Sequence, residues 1–167
     1  MGPTTERIYN VLFLCTGNSA RSIIAEALMN HVGRGRFHAY SAGSFPTGNV
    51  NPFAIELLDA AGVQHAGARS KSWDEFALAG APRMDFILTV CDNAAAETCP
   101  AWPGKPIAAH WGVPDPAAVE GSDEVKRAAF VAAAAMLRRR IELLVNLPVE
   151  KLEAMAIETQ LQRIGVQ

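Results

Sequence analysis

The loop between Cys15 and Arg21 combines a nucleophile with groups that bind an anion. It joins an apolar run at 11–14 to a helix-like run at 23–29. A strand that turns directly into a helix leaves backbone N–H groups unpaired at the helix N-terminus, where the helix dipole also attracts negative charge. Glycine and asparagine tolerate the positive φ that turns such amides inward. The pattern predicts a cradle for a tetrahedral oxyanion. Its predicted members are Thr16, Gly17, Asn18, Ser19, Ala20, Arg21 and Ser22.

Cys15 is the predicted nucleophile of this loop. A thiol near a helix N-terminus and an arginine ionises more readily than an ordinary thiol, whose pKa is about 8.5. We therefore expect a Cys15 thiolate at neutral pH, with Arg21 gripping two oxygens of the anion. Ser22 is placed to donate its hydroxyl to the sulfur, whereas Ser19 is expected to brace the loop. The alternative is a buried strand-end cysteine beside an ordinary surface arginine.

Two further cysteines suggest redox chemistry. Cys91 ends a strand-like run, and Cys99 follows after seven intervening residues. If the segment between them is helical, eight steps of 1.5 Å separate their Cα atoms by about 12 Å, whereas a disulfide tolerates about 7 Å. Oxidation then requires the segment to melt, which predicts a two-state element. The alternatives are a small core residue at Cys91 and, less favoured because no CxxC pair is present, a zinc site with His110.

Asp115 is the predicted general acid. It stands between Pro114 and Pro116, and a residue that precedes proline is confined to extended conformations. Near a dianion and partly shielded from water, a carboxyl on such a stiff loop is expected to keep a proton for a leaving oxygen. The alternative is a simple Asp-Pro turn.

The elements that must position these residues alternate between strand and helix. Strands are predicted at 8–14, 37–41, 84–90 and 106–109, and helices at 22–32, 52–61, 93–98, 122–146 and 149–164. Mostly apolar strands that alternate with helices indicate an α/β fold with a four-stranded parallel sheet and helices on both faces. Ligands bind at the carboxyl ends of such strands. Cys15, Cys91 and the 110–116 loop are therefore expected along one edge of the sheet.

Length and composition limit the number of domains, the kinds of partner and the cellular location that we expect. A chain of 167 residues, half of them hydrophobic, suffices for one core but not for two. We expect a single domain at 1–147 and a helical extension at 148–167, which docks on the domain or, alternatively, forms a homodimer contact. A net charge of −2 gives no general attraction to nucleic acid or membranes. The absence of a membrane-length apolar run or a secretory signal predicts a cytoplasmic protein.

The basic run Arg138-Arg139-Arg140 lies near the end of the long predicted helix. Basic side chains are favoured by the negative end of a helix dipole. We therefore expect this run to form a solvated face, with a functional basic patch as the alternative.

The loop at 15–22, together with Asp115-Pro116, resembles the low-molecular-weight protein tyrosine phosphatase superfamily. Within it, Cys91-Asp92-Asn93 followed by Cys99-Pro100, and His110-Trp111-Gly112 before Asp115, resemble the arsenate reductases that use this fold. The resemblance covers roughly residues 8–145. It implies the low-molecular-weight phosphatase fold with a phosphate loop after the first strand, a cysteine nucleophile, an arginine ligand, an aspartate general acid and two further redox cysteines.

The resemblance also implies a mechanism. Cys15 attacks arsenate while Asp115 protonates the departing oxygen. Cys91 then attacks Cys15, arsenite leaves, and Cys99 in turn attacks Cys91. The final Cys91–Cys99 disulfide is reduced by thioredoxin or a similar thiol protein. No cofactor and no metal are expected, since Ser72 stands where some relatives have an acidic residue that helps to hold potassium.

Two other functions remain as alternatives. A phosphotyrosine phosphatase would use the same Cys15, Arg21 and Asp115 through a phosphocysteine intermediate. Against it, Ala117 stands where tyrosine phosphatases of this fold carry an aromatic side chain that packs on the substrate ring. The other alternative is a non-enzymatic anion-binding module, which measurable turnover would exclude.

Overall fold

The computed structural model describes residues 7–91, 106–149 and 154–166. Its centre is a four-stranded, fully parallel sheet. The strands are β1 (Tyr9–Cys15), β2 (Phe37–Gly43), β3 (Phe86–Thr89) and β4 (Ile107–His110), and their order across the sheet is β2-β1-β3-β4. The predicted α/β fold with a four-stranded parallel sheet is confirmed.

Five α-helices and one 3₁₀ helix surround the sheet in the described part of the chain. They are α1 (Arg21–Val32), α2 (Pro52–Ala60), α3 (Asp74–Ala77), the 3₁₀ helix (Pro116–Ala118), α4 (Asp123–Val145) and α5 (Ala154–Gly165). The predicted start of the long helix α4 is correct, because Ser122 Oγ accepts a hydrogen bond from Val125 N at 3.2 Å as an N-cap. The sequence patterns did not predict α3 or the 3₁₀ helix. The helix predicted at 93–98 lies outside the described residues.

The alternation of side chains along β1 divides the core into two layers. Val11 and Phe13 face a large apolar layer that also contains buried side chains of α1, α2, α4 and α5. Leu12 and Leu14 face a smaller layer, which is closed by Phe76 of α3 and by neighbouring apolar side chains. Successive side chains of a strand point to opposite faces, so a continuous apolar run such as β1 must be covered on both sides. The prediction of a sheet buried on both faces is confirmed.

One basic residue of α4 departs from the sequence prediction. Arg138 and Arg139 are exposed as expected, but Arg140 is only 4% exposed. Arg140 lies three residues after Leu137 and therefore shares the buried face of the helix. The expectation of a solvated face was wrong for this residue, because helical periodicity, and not the run of charges, decides which side chain points inward.

The C-terminal helix α5 packs beside β4. Its residues Ile157, Leu161 and Ile164 are buried, and Trp111, which is fully buried, donates its indole N–H to the Leu161 carbonyl at 3.0 Å. A Cβ placed on Gly165 would lie 2.3 Å from the His110 carbonyl oxygen, so the last turn of α5 requires a residue without a side chain. None of the described helices is long and apolar enough to cross a membrane.

Candidate active site

The predicted site residues meet at one edge of the sheet. Cys15 is the last residue of β1, and Cys91 follows two residues after the end of β3. The strand register aligns Leu14 with Thr89 and Thr89 with His110, so β1, β3 and β4 end at the same level. The segment that leaves β4 carries Asp115. The structure thus brings Cys15, Cys91 and the Asp115 loop to the carboxyl edge, as the order of strands and loops predicted.

The residues around the 15–22 loop hold its carbonyl groups. Three backbone N–H groups of the following loop and one hydroxyl donate to these carbonyls. The bonds are Phe45 N to Thr16 O at 3.0 Å, Thr47 N to Gly17 O at 3.0 Å, Asn51 N to Ser19 O at 2.8 Å, and Ser70 Oγ to Gly17 O at 3.1 Å. The C=O and N–H of one planar peptide point in opposite directions. The amides that follow these carbonyls therefore face away from the bracing loop, as an anion cradle requires.

Asn18 makes the turn of this loop. It has a φ of +46°, which makes it the one described residue other than glycine in the left-handed region, and it is fully buried. Its Nδ2 donates to Ser22 Oγ at 2.8 Å, and its Oδ1 accepts from Lys71 N at 2.9 Å. Ser22 thus accepts from Asn18 and retains its own hydroxyl hydrogen for another acceptor. The helix α1 begins after Ala20 without a side-chain cap, which leaves its first amides to a ligand.

Gly43 allows β2 to approach the loop closely. A Cβ at this position would lie 2.3 Å from the Thr16 carbonyl oxygen and 2.8 Å from that of Cys15. No side chain fits at such distances. The backbone of Gly43 therefore supports the first peptides of the 15–22 loop, which is called the anion loop below. No signal in the sequence pointed to this role of Gly43.

Cys15 and Cys91 are both buried, and the Cys91 side chain acts on the Cys15 thiol. The Sγ atom of Cys91 also accepts a bond from the Thr16 amide at 3.3 Å and lies 3.6 Å from Thr16 Oγ1. Cys91 therefore reaches into the mouth of the anion loop. The position of the Cys91 sulfur beside the Thr16 amide is the central geometric feature of the site.

The pKa of the Cys15 thiol is raised well above its usual range. The hydrogen bond with Cys91 is the largest cause and burial is the second, while the Arg21 guanidinium and the Thr16 amide lower the pKa. The expected thiolate at neutral pH is therefore wrong for this arrangement. The sequence revealed the groups that stabilise the thiolate, but not the neighbouring sulfur that favours the neutral thiol.

Arg21 joins the anion loop to the 110–116 loop, which carries Asp115 and is called the acid loop below. Its Nη1 donates to the Val113 carbonyl at 2.8 Å, and its Nη2 lies 3.6 Å from Asp115 Oδ2. Asp115 Oδ1 accepts from Ala117 N at 2.9 Å and so caps the 3₁₀ helix. The Asp115 side chain is 41% exposed. More than half of its surface is therefore covered, which agrees with the partial shielding from water that the sequence suggested.

A cavity of about 520 Å³ lies between these groups. Arg21, Cys91 and Asp115 line it together with His110 and Gly165. His110 Nδ1 is 2.7 Å from Thr89 Oγ1. The sequence placed His110 at this edge as the first residue of the 110–116 loop and gave it no role other than the zinc alternative. No signal pointed to Gly165, which reaches the cavity through the packing of α5.

The predicted relay includes a third cysteine, Cys99. Cys99 lies outside the described residues, as does the 92–98 segment between the two cysteines. The Cys91–Cys99 pair and the melting of an intervening helix therefore stay predictions.

A buried ion pair lies behind the anion loop. Lys71 Nζ lies 3.8 Å from Glu26 Oε1 and 3.5 Å from Ser41 Oγ, and Ser41 in turn donates to Glu26. Burial raises the pKa of Glu26 and lowers that of Lys71, and each charge partly offsets the effect on the other. In the described part of the chain, no group of three or more His, Cys, Asp or Glu side chains is arranged to hold a metal ion.

The arrangement of sheet, anion loop and acid loop has known counterparts. Residues 10–158 match the sequence model of the low molecular weight phosphotyrosine protein phosphatase family. The chain belongs to this family. A curated relative, the arsenate reductase of Halalkalibacterium halodurans, is 38% identical over 120 residues, which are 72% of this chain and 83% of the relative. The family predicted from the sequence motifs is confirmed.

Two solved structures of arsenate reductases have the same fold. The arsenate reductase of Archaeoglobus fulgidus matches 82% of this chain and 99% of its own, with a TM-score of 0.64 and 28% identity. The thioredoxin-dependent arsenate reductase of Corynebacterium glutamicum matches 81% of this chain and 61% of its own, with a TM-score of 0.56 and 26% identity. Members of the phosphatase family that reduce arsenate are thus similar to this chain in both sequence and structure.

Proposed function

We propose that this protein reduces arsenate to arsenite with its own thiols. The observation that carries the proposal is the position of Cys91, whose buried sulfur accepts a hydrogen bond from the Thr16 amide at the mouth of the anion loop and whose side chain acts on the Cys15 thiol. Hydrolysis of a phosphocysteine needs a water molecule at Cys15. Reduction needs a second thiol there, because two electrons must pass to arsenic.

The first step forms a covalent adduct. The loop amides and Arg21 hold the tetrahedral arsenate, and the Cys15 thiolate attacks the arsenic atom. An arsenic–oxygen bond breaks, and Asp115 gives its proton to the departing oxygen, which leaves as water. Withdrawal of Cys91 from Cys15 removes the largest cause of the raised Cys15 pKa and prepares the thiolate for this step.

The second step transfers the electrons. The Cys91 thiolate attacks the Cys15 sulfur, and a Cys15–Cys91 disulfide forms as the sulfur–arsenic bond breaks. The electron pair of that bond remains on arsenic, which leaves as arsenite. Cys99 then attacks Cys91 and frees Cys15, and a thioredoxin-like dithiol protein reduces the Cys91–Cys99 disulfide. The likeness to a thioredoxin-dependent arsenate reductase supports this reductant class.

Phosphate-ester hydrolysis is the second candidate function. Its support is the family itself, which is described as a phosphotyrosine phosphatase family, and the set of Cys15, Arg21 and Asp115, which suits phosphoryl transfer equally well. Ala117 does not provide the aromatic wall that a phenyl ring needs. We therefore place arsenate reduction first.

A single-turnover experiment distinguishes the two functions. Fully reduced protein is mixed with arsenate in the absence of any reductant, and arsenite and free thiols are counted. We expect one arsenite released and two thiols lost per chain. Unchanged thiols, together with steady hydrolysis of an aryl phosphate, would instead identify a phosphatase.

Two matched cysteine variants locate the electron donors. Cys91→Ser is expected to release no arsenite, since nothing can attack the Cys15 adduct. Cys99→Ser is expected to release one arsenite and to stop at a Cys15–Cys91 disulfide, which peptide mapping detects. Arsenite release from Cys91→Ser at the wild-type yield would refute the proposed order of thiols.

A further inference from the structure

Arg140 places a guanidinium inside an apolar layer. It is 4% exposed, and its neighbours on the same helix face, Leu137, Ile141 and Leu144, are fully buried. Burial lowers the pKa of Arg140. A charge in such surroundings is costly unless it is paired, and an apolar side chain of similar size is often equally stable or more stable there. Core packing alone therefore gives no reason for an arginine at this position.

The partners of Arg140 are two consecutive carbonyl groups. Its Nη1 donates to Trp111 O at 3.1 Å and to Gly112 O at 2.9 Å, while its Nε is buried without a partner. No carboxylate is recorded within ion-pair distance of Arg140 among the described residues. The guanidinium is thus directed at one short piece of backbone, and not at an opposite charge.

That piece of backbone carries the acid loop. The next carbonyl along, that of Val113, accepts from Arg21 Nη1 at 2.8 Å, and Asp115 follows two residues later. Two arginines from different helices therefore hold three consecutive carbonyls, which are separated from Asp115 only by Pro114. The N–H groups of this segment are anchored as well, since Trp111 N donates to Thr89 O and Val113 N to Val90 O.

The two arginines differ in their access to the site. Arg21 lines the cavity and is proposed to grip the oxyanion, so its donors are shared between the substrate and the loop. Arg140 is buried behind the loop and is not among the residues that line the cavity. When Arg21 turns its donors to the anion, Arg140 continues to hold the loop.

We propose that Arg140 is a positioning residue that keeps Asp115 at the distance from the anion loop needed for proton transfer. It acts through the carbonyls of Trp111 and Gly112 and does not touch the substrate. The proposal deepens the proposed function and rests on it, because it assumes that Asp115 serves as the general acid.

A double-mutant cycle with Asp115 tests the proposal. The rate of arsenite release in a single turnover is measured for the wild type, Arg140→Met, Asp115→Asn and the double variant. A positioned general acid contributes about 10²–10⁴-fold to a rate, so Asp115→Asn is expected to cost at least about 100-fold and Arg140→Met about 10- to 100-fold. In the Asp115→Asn background, Arg140→Met is expected to cost less than about threefold, because the group it positions is already absent.

Two further variants serve as controls. Arg139→Met makes the same change at the adjacent exposed position and is expected to leave the rate unchanged. Arg140→Lys keeps a charge and a donor at the buried position and is expected to recover part of the rate. If Arg140→Met does not fold, Arg140→Lys takes its place in the cycle.

The outcomes separate this proposal from the function on which it rests. Equal losses from Arg140→Met in the wild-type and Asp115→Asn backgrounds would mean a general structural role and would overturn the proposal. A fully active Asp115→Asn variant would overturn it by removing the acid role, with arsenate reduction intact. If the wild type releases no arsenite, the proposed function itself fails.

Discussion

Replacing Cys91 with alanine is expected to make the Cys15 thiol ionise more easily. The hydrogen bond with Cys91 is the largest of the causes that raise the pKa of Cys15, and the Cys91 charge adds to it. Removing the sulfur removes both causes. The Arg21 guanidinium and the Thr16 amide, which lower the pKa, remain in place.

The size of the effect follows from one hydrogen bond. A hydrogen bond that favours the neutral thiol contributes about 1 kcal/mol, and about 1.4 kcal/mol corresponds to a tenfold change in an ionisation equilibrium. The Cys91 side chain is also buried against Cys15, so its truncation admits water and reduces the cost of a charge there. Both changes have the same sign. We expect about 5- to 10-fold more Cys15 thiolate at neutral pH.

The assay is alkylation of Cys15 as a function of pH. Iodoacetamide reacts with the thiolate, and mass spectrometry of the Cys15 peptide reports that site alone. Easier ionisation moves the midpoint of the pH–rate profile to lower pH, whereas better access raises the plateau without moving the midpoint. Cys91→Ser, which keeps a hydrogen-bonding group at the same position, is the matched control and is expected to shift the midpoint less.

One result would refute this reasoning. If Cys91→Ala leaves the midpoint at the wild-type pH or moves it upward, then Cys91 does not hold the proton on Cys15. The withdrawal of Cys91 would then have no activating effect, and the proposed preparation of the thiolate would have to be abandoned.

Three other substitutions test parts of the fold that support the site. Lys71→Met leaves the Glu26 carboxylate buried without its cation and is expected to cost about 3 kcal/mol of unfolding free energy at pH 7, measured with urea. Burial raises the pKa of Glu26, so this cost should shrink as the pH falls and the carboxyl gains a proton. Gly43→Ala forces a Cβ to within 2.3 Å of a loop carbonyl and should weaken phosphate binding about tenfold or more by calorimetry. Trp111→Phe removes the donor to the Leu161 carbonyl and should cost about 1–3 kcal/mol, with faster amide exchange in α5.

Each of these expectations has a result that contradicts it. A Lys71→Met penalty that grows on acidification would show that the Glu26 charge is not what the lysine compensates. Gly35→Ala, at a positive φ with no atom within 4 Å of the added Cβ, is the control for Gly43→Ala. Equal phosphate affinities for these two variants would argue against the close approach of β2. Unchanged amide exchange in α5 of Trp111→Phe would show that the indole bond does not hold the helix.

The sequence determined the framework of this protein because its signals are local and strong. The apolar run of β1 passes directly into the anion loop and α1, and this order alone predicted a buried parallel strand with an anion site at its carboxyl end. The cap residue Ser122 marked the start of α4 in the same way. Cys15, Arg21 and Asp115 were predicted as site residues because the glycine and asparagine between Cys15 and Arg21 allow the chain to turn, and the prolines on either side of Asp115 restrict the backbone.

Only the tertiary structure decided how these groups act on each other. The proton on Cys15 depends on Cys91, which is 76 residues away in the chain and reaches the loop only because β1 and β3 are neighbours in the sheet. In the sequence, nothing distinguishes Arg140 from its exposed neighbours Arg138 and Arg139. The packing of α4 directs its guanidinium to the acid loop. The pKa of Cys15 and the hydrogen bonds of Arg140 depend on distances across the fold. The order of residues along the chain does not specify those distances.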